Sequence, residues 1–196
     1  SLTALFEVTA PAGVITYPEF KSEVLHALAD QPNGVRRILI DTHIPLDTEI
    51  ELTGLAGLER RPEEIVLLQH SSGTTGLQKG VALSRQAVFN QLDAYSRALE
   101  LTDGDVVVSW LPLYHDMGLI AGFIMPILSG IPLVLMSPFD WVRAPYKLMQ
   151  SVTKYRGTLT WLPNFAYNFC AQKIRDRHLE GVDLSGARGV LVNITA

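Results

Sequence analysis

At 196 residues, 47% of them hydrophobic, the chain is long enough to bury a sizeable core as one domain or a small pair. Its 16 basic and 20 acidic side chains leave a net charge of −4 with no run of Lys or Arg, which argues against a nucleic-acid partner bound through backbone phosphates. The single cysteine, Cys170, cannot form an internal disulfide; in an apolar helix-like segment it reads as a buried structural thiol of a reducing, cytoplasmic compartment. Ser1 is not an initiator methionine, and the first residues carry neither the basic nor the apolar region of a signal peptide.

In chain order, Ala4–Thr9 suggests a short strand and Pro18–Asp30 a helix with Phe20, Val24, Leu25 and Leu28 on one face. Val35–Ile40 follows as a strand, and Thr42–Arg61, with no clear period, as a connecting loop. The apolar strand Glu64–Gln69 leads directly into Ser71-Ser72-Gly73-Thr74-Thr75-Gly76-Leu77-Gln78-Lys79-Gly80. Ser84 is a good N-cap for a helix to about Glu100, with Val88, Leu92, Tyr95 and Leu99 at helical spacing. A strand Val106–Trp110 is followed by the loop Leu111–Met117.

Met117–Phe139 contains no charged residue and is long enough to span a bilayer, but Gly118, Gly122, Gly130, Pro126 and Pro132 break it. The expectation is a buried helix Gly118–Leu128 and a short strand Leu133–Met136, with no transmembrane segment. Asp140 is placed as the cap of a helix to about Tyr155, with Pro145 in its first turn. Thr158–Trp161 is a strand, Pro163 opens a helix to about Arg177, and Arg188–Val192 is a final strand. The alternation predicts an α/β protein, a mostly parallel sheet flanked by helices, whose ligands sit beyond the carboxyl ends of the strands.

The glycine loop has the chemistry of a phosphate cradle. Gly73, Gly76 and Gly80 let the backbone approach a ligand closely, the hydroxyls and N–H groups donate to phosphate oxygens, and Lys79 adds a point charge. A solvated turn is the plainer reading of the same composition. A Walker loop is excluded because Gly76 and Lys79 are separated and Gly80 follows. No G-x-G-x-x-G and no G-x-S-x-G elbow occur. Ser71-Ser72-Gly73 shares its letters with the serine-rich loop of amidase-type hydrolases, which need more glycine and a distant lysine. Without HExxH or CxxC, five dispersed histidines suggest no metal held by the protein.

Ser71 to Val81 resembles the phosphate-loop signature of the adenylate-forming (acyl-activating, AMP-binding) ligases, with Gln78 where that family usually has proline and Arg85 where a histidine often stands. Trp110-Leu111-Pro112-Leu113-Tyr114-His115-Asp116-Met117-Gly118-Leu119 is similar to the family's next core motif. Pro163-Asn164-Phe165-Ala166-Tyr167-Asn168-Phe169 resembles a helix start of the fatty acyl-AMP ligase branch.

The resemblance implies ATP-dependent, Mg2+-assisted activation of a carboxylic acid, a fatty acid above all, and transfer of the acyl group to a thiol of CoA or of a carrier protein's phosphopantetheine. It assigns the triphosphate to Ser71, Ser72, Gly73, Thr74, Thr75, Gly76, Lys79 and Gly80. Lys79 and His115 become the catalytic pair, and Tyr114, His115, Asp116, Met117, Gly118, Asn164 and Phe165 border the substrate. It further implies that residues 1–196 are part of the large N-terminal domain, with 1–63 a preceding α/β segment and 64–196 carrying the phosphate loop and acyl pocket. The magnesium-binding glutamate, the adenine- and ribose-binding set and the C-terminal lid with its lysine then lie elsewhere, and this piece alone is expected to be inactive. A non-catalytic nucleotide- or acyl-binding module and, further off, an amidase-type serine hydrolase are the alternatives.

Overall fold

A computed structural model describes residues 2–29, 37–40, 53–70 and 80–193. The chain divides into two compact units, Ser1–Glu59 and Arg60–Ala196. In the first, helices α1 (Leu2–Thr9) and α2 (Lys21–Leu28) pack Phe6 against Val24 and Ala27, and the parallel pair β1 (Gly13–Thr16) and β2 (Arg37–Ile40) completes it. The strand expected at Ala4–Thr9 is therefore a helix. An alternating strand that buried Phe6 would bury Val8 as well, yet Val8 is 80% exposed while Phe6 finds α2 beside it. β1, too short for its period to register, was not expected.

The second unit holds a four-stranded parallel sheet of β5 (Val107–Ser109), β6 (Leu133–Leu135), β7 (Leu159–Pro163) and β8 (Gly189–Asn193), in the order β6-β5-β7-β8. Strands of this kind are covered on both faces and so read as continuous apolar runs; Leu159 to Leu162 are all buried. Packed on this core through Leu67 and Leu83 is an antiparallel ribbon of β3 (Ile65–His70) and β4 (Gly80–Ser84), with His70 opposite Gly80. The segment 71–79 thus joins the two strands of a ribbon. It does not follow a strand of the parallel sheet, as the bare alternation of elements suggested.

Ser84 caps helix α3 (Arg85–Ala98) as expected, its hydroxyl accepting from the Ala87 N–H at 3.1 Å, and α3 buries Val88 and Leu92. After β5, Met117–Ile124 winds as a π-helix and passes into α4 (Met125–Ser129), which Gly130 ends in the left-handed region at φ 71°. Among the described residues no helix is long and apolar enough to cross a membrane.

The single helix expected from Asp140 to Tyr155 is two, α5 (Pro138–Arg143) and α6 (Tyr146–Tyr155). Pro145 lacks the N–H that would continue the ladder and pushes Ala144 out of helical conformation (φ −146°, ψ 71°), so α5 ends at Arg143 and α6 begins anew after Pro145. α7 (Asn164–Lys173) likewise stops short of Arg177, with a separate 3-10 turn at Asp176–His178.

At the amino ends of the sheet strands Asp105 is buried and heavily bonded. It accepts from Arg188 Nε at 2.7 Å, from Arg188 Nη2, from Thr158 Oγ1 at 2.7 Å, and from Thr102 N and Oγ1 at 2.8 and 3.0 Å. Arg188 also donates to the carbonyls of Leu99 and Glu100, at 2.7 and 3.0 Å. One ion pair thereby joins the end of α3 to the starts of β5, β7 and β8.

Candidate functional site

In the order β6-β5-β7-β8 the chain leaves β5 toward β6 on one side and leaves β7 toward β8 on the other. The two connections diverge, and such a switch point opens a crevice at the carboxyl ends of the neighbouring strands. Two of the segments singled out in the sequence meet there. Trp110–Gly118 departs from β5, and Asn164–Phe165 starts α7 after β7.

The β5 segment folds back on itself tightly. The His115 N–H donates to the Pro112 carbonyl at 3.1 Å, and the Leu119 N–H donates to the His115 carbonyl at 2.8 Å. Gly118 is required at this turn, because a Cβ there would lie 2.3 Å from the Pro112 carbonyl oxygen. One turn on, a Cβ at Gly122 would stand 2.7 Å from Oγ of the fully buried Ser109. These contacts press the π-helix onto the end of β5 and present Tyr114, His115 and Asp116 to solvent. Asp116 caps the π-helix, its Oδ1 accepting from the Met117 N–H at 2.7 Å, and the same oxygen lies 2.7 Å from His115 Nδ1. Met117 is half-buried and Gly118 buried.

The start of this segment joins an aromatic cluster, most of it buried. Trp110 and Trp141 stack with their centroids 3.6 Å apart and their planes 8° from parallel. Phe165, 60% exposed, stands edge-on to both indoles at 6.4 and 6.3 Å, and Phe169 lies 5.2 Å from Trp141. Asn164 is exposed at the first position of α7. Burial raises the pKa values of the Tyr167 hydroxyl and the Cys170 thiol. That leaves Cys170 a structural thiol, unfit as a nucleophile near neutral pH.

Of the residues assigned to the site, Tyr114, His115, Asp116, Met117, Gly118, Asn164 and Phe165 gather at adjacent strand ends. Ser71, Ser72, Gly73, Thr74, Thr75, Gly76 and Lys79 lie outside the described residues. Gly80 opens β4, with open space where a Cβ would stand. Among the described residues no three His, Cys, Asp or Glu side chains cluster as metal ligands. Sequence reasoning missed Trp141 and Ser109. Neither lies in a motif, and the nearest signal was the uncommon tryptophan in α5, the helix after β6.

Exposed polar groups after β5 and the exposed Phe165 after β7 thus stand at adjacent strand ends, backed by a buried aromatic cluster. A fatty-acid–CoA ligase of Mycobacterium tuberculosis, fadD25, is 33% identical over 197 residues, 96% of this chain and 33% of the relative. The medium-chain-fatty-acid–[acyl-carrier-protein] ligase TtuA of Teredinibacter turnerae is 30% identical over 195 residues, 92% of this chain and 30% of the relative. The fatty acyl-adenylate ligase of L. pneumophila, solved with acyl adenylate and pyrophosphate, superposes with a TM-score of 0.78 at 27% identity, covering 99% of this chain and 33% of that one. The chain thus spans about a third of the length of the curated relatives it matches. The AMP-binding enzyme model matches residues 2–194, and the chain belongs to that family, the adenylate-forming ligases.

Proposed function

We propose that the protein to which this chain belongs activates a fatty acid with ATP, forming an acyl-AMP and releasing pyrophosphate. The acyl group then passes to a thiol of CoA or of a carrier protein's phosphopantetheine. The observation that supports this best is the crevice between the ends of β5 and β7. The exposed ring of Phe165, backed by the buried Trp110–Trp141 stack, offers an alkyl chain an apolar surface, and His115 and Asn164 offer polar atoms to a carboxylate or phosphoryl group.

In this reading little covalent chemistry is asked of the protein, which aligns carboxylate and α-phosphorus and stabilises the charge developing on the phosphoryl oxygens. Ser71, Ser72, Thr74, Thr75 and Lys79 hold the β- and γ-phosphates, with Gly73, Gly76 and Gly80 shaping the loop. His115 places the acyl group and the adenylate. Mg2+ would supply charge neutralisation on the triphosphate. The names of the fatty-acid ligases similar to this chain support fatty acids as the acid class and leave CoA and carrier protein as two acceptors to be told apart.

ATP–pyrophosphate exchange on the full-length protein, with fatty acids of increasing chain length, tests the proposal. Exchange with at least one acid, lost in Lys79→Ala, is the expected result. No exchange with any acid, or unchanged exchange in Lys79→Ala, would refute it. Residues 1–196 alone are expected to give no acyl-AMP.

A further inference from the structure

His115 and Asp116 are neighbours in sequence, yet their side chains are turned toward each other, with His115 Nδ1 and Asp116 Oδ1 2.7 Å apart. The Met117 N–H also reaches toward Nδ1, at 3.3 Å, but it lies closer to Asp116 Oδ1, at 2.7 Å. Nδ1 cannot both donate to the carboxylate and accept from Met117. A carboxylate has only acceptor sites, so the arrangement in which both N–H groups point at it is the one that satisfies every partner. Nδ1 therefore carries the proton, and Nε2 is the ring nitrogen left to face a ligand.

Stability does not explain this pairing. The two side chains are 49% and 65% exposed, and an ion pair so open to water contributes about 0–1 kcal/mol at most. What the carboxylate does supply is orientation. Anchored by the Met117 N–H at the head of the π-helix, and with Gly118 wedged against Pro112, it favours one tautomer and one rotamer of the imidazole in the segment that follows β5.

We propose that Asp116 is a positioning residue that fixes the Nδ1–H form of His115 and so leaves Nε2 as the nitrogen offered to the acid or its adenylate. This rests on the reading of His115 given above, and it differs from a capping role for Asp116. Asparagine would cap the π-helix through its own Oδ1, but a neutral amide oxygen accepts the Nδ1–H more weakly than a carboxylate does.

The test is a double-mutant cycle on the full-length protein, followed by ATP–pyrophosphate exchange and thermal melting for Asp116→Asn, His115→Ala and the two together. Asp116→Asn is expected to lower the exchange rate about tenfold or more at an unchanged melting temperature, and to cost nothing further once His115 is Ala. A wild-type rate in Asp116→Asn overturns the proposal, as does an equal loss in both backgrounds. Nitrogen-15 spectra of histidine-labelled protein, with His115 assigned by its absence in His115→Ala, supply a readout independent of activity. The Nδ1–H form is expected in the wild type and a tautomer mixture in Asp116→Asn. A wild-type Nε2–H form sinks the inference even if acid activation stands, whereas the Nδ1–H form with a fully active His115→Ala removes His115 from the reaction and the proposal with it.

Discussion

Deleting the Asp105 carboxylate tests what fastens the parallel sheet. The side chain is 2% exposed and accepts five hydrogen bonds, two from Arg188, one from Thr158 and two from Thr102. Removing one partner of a buried charge pair costs about 3–5 kcal/mol, chiefly because the other charge is stranded. Here the Arg188 side chain is 38% exposed and can turn to water, so the low end, about 3 kcal/mol, is expected for Asp105→Ala.

Local opening of the strands reports this cost directly. The Val107 N–H donates to the Pro132 carbonyl at 3.0 Å and the Leu159 N–H to that of Val106 at 3.1 Å. Their hydrogen exchange is expected to quicken about a hundredfold, at 1.36 kcal/mol per decade, while α1 and α2 in the other unit keep their rates. Acceleration under about threefold in both strands would refute the argument, since that is less than 1 kcal/mol.

The same group sets a pH dependence. The hydrogen bonds from Arg188 hold the Asp105 carboxyl well below the usual carboxylate range, against the opposing cost of burial and with help from Thr158 and Thr102. A folded-state pKa below the unfolded one means that the unfolded chain binds more protons, so this stabilisation grows with pH. It is complete above the unfolded value, about pH 4, and is lost progressively as the pH falls toward the folded value.

Three further tests probe the core and the carboxyl ends of the strands. Gly118→Ala puts a methyl 2.3 Å from the Pro112 carbonyl oxygen, a backbone atom that cannot step aside, and is expected to cost about 1–3 kcal/mol in a thermal melt; a wild-type melting temperature would contradict the contact. Trp141→Phe keeps a ring against Trp110 while removing a buried indole N–H that has no partner, so urea denaturation should find it close to neutral, where Trp141→Ala costs about 3–5 kcal/mol; equal losses would mean that the N–H is satisfied. Cys170, buried and with a raised pKa, is expected to react with a disulfide reagent slowly in the native protein and fast in denaturant, and equal rates would place it at the surface.

The strands of the parallel sheet were legible because strands covered on both faces leave a short uncharged run rich in β-branched and apolar residues, as Val106–Trp110 and Thr158–Trp161 do. The helix α1 and the ribbon strand β4 were not. Leu2–Thr9 is helical because Phe6 meets Val24 and Ala27, and Gly80–Ser84 is extended because it pairs with Ile65–His70; neither partner is visible in the local pattern. The π-helical winding of Met117–Ile124 was hidden for a related reason. An all-apolar run carries no period that separates it from an α-helix, and tertiary contacts at Gly118 and Gly122 distinguish the segment. Of the candidate site, the motif residues His115, Asp116, Asn164 and Phe165 were named from sequence, whereas Trp141 enters through stacking on a residue 31 positions earlier, Trp110.

Stability and candidate chemistry fall at opposite ends of the same strands. Asp105 and Trp110 are five residues apart on one extended segment, about 17 Å at 3.3 Å per residue. At the amino end the carboxylate, Thr158 and Arg188 lock three strands and a helix terminus together. At the carboxyl end no such cross-strand ion pair occurs among the described residues; the loops are held by close backbone approach at Gly118 and by ring stacking. Side chains such as Tyr114 and His115 are thereby left exposed on a backbone packed closely at Gly118 and Gly122. Substitutions at the two ends should then separate. Loss at Asp105 loosens the strands from below without altering the His115–Asp116 pair, while exchange of the exposed rim groups changes what the crevice can bind at little cost to the core.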